Sequence, residues 1–520
     1  MKIVIVGSGV VGSVVAESIL SAGLGTVTML EAGPEIPMAN AADWFNLVTG
    51  SPAPYEKCYD QTGDYASVAD TPQDKWQITG GRVLGRGGST LHWGGWVPRF
   101  MPEDFQYHTN TGQGLDWPYG YIALEPYYCA AETFLGVSGD SSDQNPPRSQ
   151  NYPYSAAPYP LMMQPIMTAM EALGMTYAHM PVSRYGKGAT DRTPCRTTGT
   201  CKYCPISARY TGDQSLDSLS AQSDFSLILN APAKEITMSD RNTVSGVTYV
   251  DTTTGQSTTL EADYVFVCAG ALETPKLLQN STSTWWPSGV GNDHDLVGRY
   301  LMASPYFFAM GTIAQNPQKI QSELGFPTLS SRYYDTEEYQ KKGGKFYFNT
   351  DYAHPNLKIS DLMAHGQTTA QIQTAATGAM QFQIQGTMAA IPNYDNRVSS
   401  EAGTTRFGLP KTYIDTPVPL YDEAQSKVYL QAMENILEKI GCTGVSSGGY
   451  PQRGDHAMGT CRMAACADQG VVDENWKVFD VNNLYVMGNA TFPSMGAANP
   501  TLTLVAATFK AMNTFLSEKK

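Results

Sequence analysis

Residues 1–34, MKIVIVGSGVVGSVVAESILSAGLGTVTMLEAGP, read as a strand, a glycine turn, a helix and a second strand. Lys2 to Val6 is a β-branched run, short enough for a strand buried on both faces of a parallel sheet. Gly7, Gly9 and Gly12 follow it as G-x-G-x-x-G. The first glycine allows the tight turn, the second lets a pyrophosphate reach the backbone, and the third lets the helix lie close to the strand. The helix aims its free N–H groups and positive dipole end at the phosphates. Glu31 closes the unit about twenty residues past the turn, where a carboxylate accepts hydrogen bonds from an adenosine ribose. A glycine turn alone is a weak signal, common as a helix cap. Between a strand and a helix, with an acid at that distance, it reads as a dinucleotide site. FAD and NAD both remain open from this stretch.

The chain has 520 residues, too many for one ordinary core, so two interleaved domains are expected. A net charge of −14 and the lack of a long basic run argue against nucleic acid and against docking on an anionic bilayer. No apolar segment reaches the roughly 18 residues of a membrane span, so direct membrane insertion is not expected. A first strand beginning at Lys2 leaves no room for a signal peptide, so any export is expected to be shared with a partner carrying its own signal. Nine cysteines, an odd number with one tight cluster, do not have the pattern of a disulfide scaffold.

Beyond Pro34, residues up to about Trp76 are polar and lack periodicity, which reads as a long surface excursion. Residues 78–100, ITGGRVLGRGGSTLHWGGWVPRF, carry so many glycines that close backbone packing is expected. An amphipathic helix is expected from about Ala123 to near Gly136, and another from Leu161 to Leu173. Between residues 222 and 270 the short strands FSLILN, AKEITM, VSGVTYVD and DYVFVCAG return, followed by the helix LETPKLLQNS. Residues 306–449 differ in style. The alternating stretches KFYFNTDY and MQFQIQG predict an antiparallel sheet, and AQSKVYLQAMENILEKI predicts a helix with Leu430, Met433, Leu437 and Ile440 on one face, stopped by Gly441. The last seventy residues go back to the α/β style. The expected organisation is therefore a nucleotide domain built from residues 1–155, 191–305 and 450–520, with a substrate side from 156–190 and 306–449.

Two segments near the C-terminus carry the strongest local chemistry: HAMGTCRM, residues 456–463, and GAANPTLT, residues 496–503. With seven histidines in the chain, His456 stands in a polar, Gly-rich segment rather than on an apolar helical face. A buried structural histidine is the plain alternative. Cys195, Cys201 and Cys204 form C-x5-C-x2-C-P. Short thiolate spacing with a trailing Cys-Pro is similar to cluster ligands in ferredoxins, and three cysteines suit a three-iron cluster better than a four-thiolate site. Zinc lacks an obvious fourth ligand, and three unligated thiols are the alternative. Gln381, Gln383 and Gln385 share a strand face that could hydrogen-bond the hydroxyls of a ligand, although a solvated face is the favoured reading.

The glycine turn with Glu31, GGSTLHWGG (87–95), VCAGALETPKLL (267–278), VGRYLM (297–302), HAMGTCRM, NLYVMGNATFPS (483–494) and NPTLT occur in the order seen in the glucose-methanol-choline (GMC) family of flavin oxidoreductases. The chain resembles that family from end to end, least in 306–449. Within it the resemblance is greatest to catalytic subunits of bacterial FAD-dependent sugar dehydrogenases, and more distant to pyranose oxidase. The resemblance implies an α/β fold with a discontinuous Rossmann-like FAD domain and an α+β substrate domain. It implies FAD, contacted by Gly7, Gly9, Gly12, Glu31, Arg86, Gly88, Ser89, His92, Ala233, Ala269, Gly488, Asn489 and Thr501. His456 matches the family's base and Asn499 the partner that hydrogen-bonds the substrate oxygen. His92 matches a histidine bonded covalently to the flavin in some relatives. The three cysteines match the place of an iron–sulfur cluster, with a last spacing one residue shorter than usual. Such an enzyme would oxidise a sugar or glycoside hydroxyl and pass electrons to an external carrier such as cytochrome c. It would also pair with a small chaperone or export subunit, which implies the periplasm, whereas the missing signal peptide taken alone implies the cytoplasm. A peroxide-forming oxidase and a non-catalytic flavin-binding subunit are the alternatives. LMASP, residues 301–305, departs from the family's L-M-D-H-P at Ala303 and Ser304.

Overall fold

The computed structural model describes residues 1–519 except 49–50, 69–79, 160–162, 187–188, 190–191, 197, 199, 315–327, 332–348, 352–361, 364, 378 and 450–453. The opening unit forms as read: β1 (Lys2–Val6), α1 (Val10–Ser21) and β2 (Thr26–Leu30). β1 is central in a five-stranded parallel sheet, ordered Leu484–Val486, Tyr264–Val267, β1, β2, Phe225–Ile228. Ile3 to Val6 are all buried, as a strand covered on both faces requires. α1 packs against the helix Thr501–Glu518, which also meets the helix Tyr121–Leu135. Because the strands run in parallel, Gly7, Glu31, Ala269 and Gly488, each just past its strand, collect at the carboxyl edge of one sheet. In open α/β sheets that edge is where ligands bind.

A second sheet is antiparallel, ordered Asn349–Asp351, Met380–Thr387, Tyr306–Ile313, Thr443–Gly449. Strand alternation sends Phe307, Ala309, Phe382 and Ile384 into a core shared with Met170, Tyr429, Met433 and Ile436. The helix Glu423–Ile440 starts where the Asp422 carboxylate accepts the Ala424 and Gln425 N–H groups, and stops at Gly441 with φ 92°. Its buried stripe is centred on Tyr429, Met433, Ile436 and Leu437, with Leu430 and Ile440 at the margin. Of KFYFNTDY, only the strand Asn349–Asp351 lies within the described residues. No helix among the described residues is long and apolar enough to cross a membrane.

The expectation for residues 35–76 needs correction. Tyr55 and Cys58 are buried in a small core with Tyr203 and Leu91, and Tyr65–Val68 is a strand paired with Pro410–Asp415. These side chains serve an aromatic cluster made of distant segments, so no regular period marks their burial. The glycine-rich segment does pack backbone to backbone: a Cβ on Gly88 would stand 3.1 Å from the Gly9 Cα.

Candidate active site

One cavity of about 940 Å³ joins the carboxyl edge of the parallel sheet to the edge of the antiparallel one. On the nucleotide side its geometry fits a dinucleotide. Gly7 has φ +105°, a conformation glycine adopts without strain, and a Cβ there would collide with the Cys268 carbonyl. A Cβ on Gly12 would collide with the Gly7 carbonyl, whereas one on Gly9 would meet nothing within 4 Å. Gly9 is thus the open face of the turn, where a pyrophosphate can approach. Glu31 is buried, and its carboxylate accepts the Ser8 N–H (3.1 Å) and hydroxyl (2.6 Å) on one oxygen and the Gly33 N–H (3.0 Å) on the other. Three of about four lone-pair sites are occupied, which leaves one for a ribose hydroxyl.

Gly88, Ser89, His92, Ala233, Ala269, Gly488, Asn489 and Thr501 also line the cavity. Gly12 and Arg86 are not among the lining residues. Gly12 acts by letting α1 close on the turn. Arg86 turns elsewhere: its guanidinium pairs with Asp217 (2.6 Å) and Glu35 (3.4 Å). Both acids are exposed, so this pair contributes little, about 0–1 kcal/mol.

His456 and Asn499 meet at the other end. Asn499 Nδ2 lies 3.4 Å from His456 Nε2. Ser304 Oγ stands 2.9 Å from Nδ1, and the Tyr306 hydroxyl is 3.0 Å from Nδ1 and 3.2 Å from Nε2. Backbone pairing sets these positions. Met302 and Met458 exchange N–H···O bonds of 2.9 Å as an antiparallel bridge, and the Asn489 amide donates to the Ala457 carbonyl at 2.6 Å. On the Asn499 side, Thr387 at the end of its strand donates to the Ala497 carbonyl at 2.7 Å. Tyr306, cross-strand from Thr387, opens the neighbouring strand. The antiparallel sheet is therefore the frame that presents both segments.

The same frame revises the reading of the glutamines. Gln385 lines the cavity together with Tyr306, His456 and Asn499, so this part of the strand face is turned to the site rather than to bulk solvent. The opposite wall carries charges that motif reading overlooked. Arg82, Glu273 and Lys276 line it, with Glu273 bonded to Arg82 (3.0 Å) and Lys276 (2.8 Å), and Arg82 to the wholly buried Asp60 (2.9 Å). Burial alone would push the Glu273 carboxyl up, but the two cations hold it below its ordinary value. The only local sign was the i,i+3 spacing of Glu273 and Lys276 on the helix Gly270–Asn280. His92 faces Tyr59, its Nδ1 3.3 Å from the hydroxyl.

The expected three-thiolate cluster finds no support. Among the described residues no group of three His, Cys, Asp or Glu side chains is arranged to hold a metal. All nine cysteines are unbridged. Cys201 lines the cavity, Cys204 Sγ accepts the Ala208 N–H at 3.2 Å, and the Cys195 backbone is tied to the Tyr185 carbonyl. The local spacing is that of a ligand loop, but the backbone ties its ends to different neighbours.

Sequence profiles described as GMC oxidoreductase match residues 1–306 and 392–508. The chain is 26% identical to the fructose dehydrogenase large subunit of Gluconobacter japonicus, over all of this chain and 98% of the relative. It is 27% identical to the paromamine 6'-oxidase of Streptomyces fradiae, over 97% of this chain and 89% of the relative. Pyridoxine 4-oxidase from Mesorbium loti has the same fold, with TM-score 0.63, 17% identity and 99% of each chain covered. Formate oxidase from Aspergillus oryzae superposes with TM-score 0.62 and 17% identity, covering 99% of this chain and 98% of that one. The chain belongs to the GMC oxidoreductase family and is an FAD-dependent oxidoreductase.

Proposed function

We propose that the protein is a FAD-dependent dehydrogenase oxidising a hydroxyl of a sugar or glycoside, with His456 as base and Asn499 holding the substrate oxygen. The observation that carries this reading is the 3.4 Å approach of Asn499 Nδ2 to His456 Nε2 in the cavity that also contains Gly7, Gly9 and Glu31. Bound FAD supplies the hydride acceptor. The chain does the rest. A neutral imidazole takes the hydroxyl proton, which frees the carbon to release hydride, and the amide orients the oxygen without competing for that proton. Tyr306 and Gln385 add a hydroxyl and an amide to the substrate end of the cavity, as a polyhydroxylated molecule requires. The names of the two relatives, a fructose dehydrogenase and a paromamine 6'-oxidase, support a sugar-like alcohol.

The large-subunit relative further supports an assembly. A small export subunit and a cytochrome c acceptor belong to this proposal, with no step routed through an iron–sulfur cluster. A second reading is favoured by the paromamine oxidase match, namely transfer to oxygen with peroxide as product. The test is one set of anaerobic spectra with D-glucose, D-fructose, their methyl glycosides and paromamine. Bleaching of the flavin by one of them, with turnover faster on ferricyanide than on oxygen, is the expected result. No bleaching with any of them sinks the sugar reading, and faster turnover on oxygen selects the oxidase. Iron analysis on the same sample reports on the three cysteines independently.

His92 is the proposed covalent anchor of the flavin. Acid precipitation of the parent is expected to leave the yellow colour with the polypeptide, and His92→Ala to release it. Colour in the supernatant of the parent would remove the anchor and leave His92 a packing role beside Tyr59.

A further inference from the structure

We propose that Ser304 is a positioning residue that keeps the His456 imidazole proton on Nδ1 and so leaves Nε2 bare toward Asn499. This rests on the proposed reading of His456 as the base. Ser304 stands where the family's pattern has another residue, so nothing carried over from relatives gives it a role.

Register puts it there. In the antiparallel bridge Met302↔Met458, two residues on from one member lies opposite two residues back from the other, so Ser304 faces His456. The serine is wholly buried, and Pro305 after it disfavours the helical conformation at position 304, which helps keep the segment extended. Its hydroxyl oxygen reaches Nδ1 alone, at 2.9 Å. The Tyr306 hydroxyl also approaches the ring, but it is nearly equidistant from both nitrogens. Their N–H directions diverge, so one oxygen so placed cannot lie in line with either. Asn499 supplies an independent observation. With the amide placed as it is, Nδ2 toward the ring at 3.4 Å, Asn499 is a donor and matches an unprotonated Nε2.

The hydrogen bond at one ring nitrogen sets which form the other takes. With Nδ1–H given to Ser304, Nε2 accepts the substrate proton: the O–H bond breaks, an N–H bond forms, and the resulting imidazolium keeps Ser304 as an acceptor. Bound FAD would take the hydride that the carbon loses as the C–O bond becomes C=O, which balances the two electrons. Serine adds no charge beside Nδ1, whereas a carboxylate in the same place would favour the charged imidazolium.

The test uses the FAD-loaded protein labelled with ring-15N histidine, with His456→Gln to assign the signal, plus anaerobic flavin reduction by whichever panel sugar bleaches the parent fastest. The parent is expected to show a single His456 form protonated on Nδ1. Ser304→Ala is expected to keep its flavin and KM, to share the proton between the two nitrogens, and to reduce its flavin about 10-fold more slowly, part of a general base's contribution. Ser304→Thr, which retains the hydroxyl, is expected to restore both readings. An unchanged tautomer in Ser304→Ala, or a parent protonated on Nε2, overturns the proposal even where the rate falls. His456→Ala bleaching at the parent's rate overturns the base itself, and the spectrum still judges Ser304 on its own.

Discussion

Replacing His456 with alanine is expected to leave a yellow, folded protein whose flavin is reduced about 10²–10⁴ times more slowly, the range one general base contributes. Folding should survive because what holds this segment is backbone. The Met302–Met458 bridge and the Asn489 bond to the Ala457 carbonyl do not involve the imidazole. Flavin content should survive because the glycine turn and Glu31 belong to another part of the cavity wall. Asn499→Ala should cost less, since it removes orientation and leaves the proton acceptor in place. Stopped-flow bleaching under argon measures both, with thermal unfolding as the control. A His456→Ala protein that bleaches as fast as its parent, with an unchanged unfolding midpoint, would show that some other group takes the proton.

How much of this could be read from residues alone depended on whether the determining contact was local. The nucleotide cradle is one: turn, helix dipole and terminal acid lie within thirty residues, and Gly7 and Gly12 each stand where a Cβ would collide with backbone. The antiparallel sheet and its helix also announce themselves, through alternation in MQFQIQG and through Gly441. The frame of the His456 end is different. Ser304 meets His456 across 152 positions and Tyr306 across 150, so no window of sequence contains the pairing that joins them. His456 and Asn499 were named by resemblance, and the fold then gathers them in one cavity with partners the resemblance does not include.

Misreadings have the same origin. Gln385 looks like any polar residue on an alternating strand until the cavity on that side is known. Residues 35–76 look aperiodic because Tyr55 and Cys58 pack on Tyr203 and Leu91 rather than on one face of a helix or strand. The cysteine loop is the converse. Its spacing is local and legible, yet Cys195 and Cys204 take separate backbone partners and no ligand group results among the described residues.

Glu132→Ala is the substitution expected to damage the fold most, by about 3–5 kcal/mol, because it strands buried cations. Glu132 is 1% exposed and receives Arg99 through two bonds, Nε to Oε1 at 2.8 Å and Nη2 to Oε2 at 3.0 Å, as well as Arg148 at 2.6 Å. Arg99 keeps Glu125 at 3.0 Å and the Tyr121 hydroxyl at 2.9 Å, and Arg148 keeps its stack on the Tyr152 ring. Neither substitutes for the lost bidentate carboxylate. The helix that carries Glu132, Tyr121–Leu135, is also held by its Tyr128 hydroxyl, 2.7 Å from Thr503 Oγ1 just beyond Asn499, a contact the substitution leaves in place, so the site itself should be spared. Glu132→Gln keeps an acceptor and should lose less.

The other acid of the network makes the effect depend on pH. Burial would raise the Glu125 carboxyl, but the Ser149 N–H and hydroxyl with Arg99 and Cys129 outweigh it and lower it from 4.5 to about 2. A carboxylate lowered in the folded state stabilises fully above 4.5, and that contribution disappears as pH falls toward 2. The unfolding midpoint of the parent should therefore fall through that interval, and Glu125→Gln should flatten the fall. Glu132→Ala, measured at neutral pH, should show a lowered midpoint with the flavin-reduction rate per folded molecule retained. An unchanged midpoint would mean that the two guanidiniums find other anions, and the account of this network would fail.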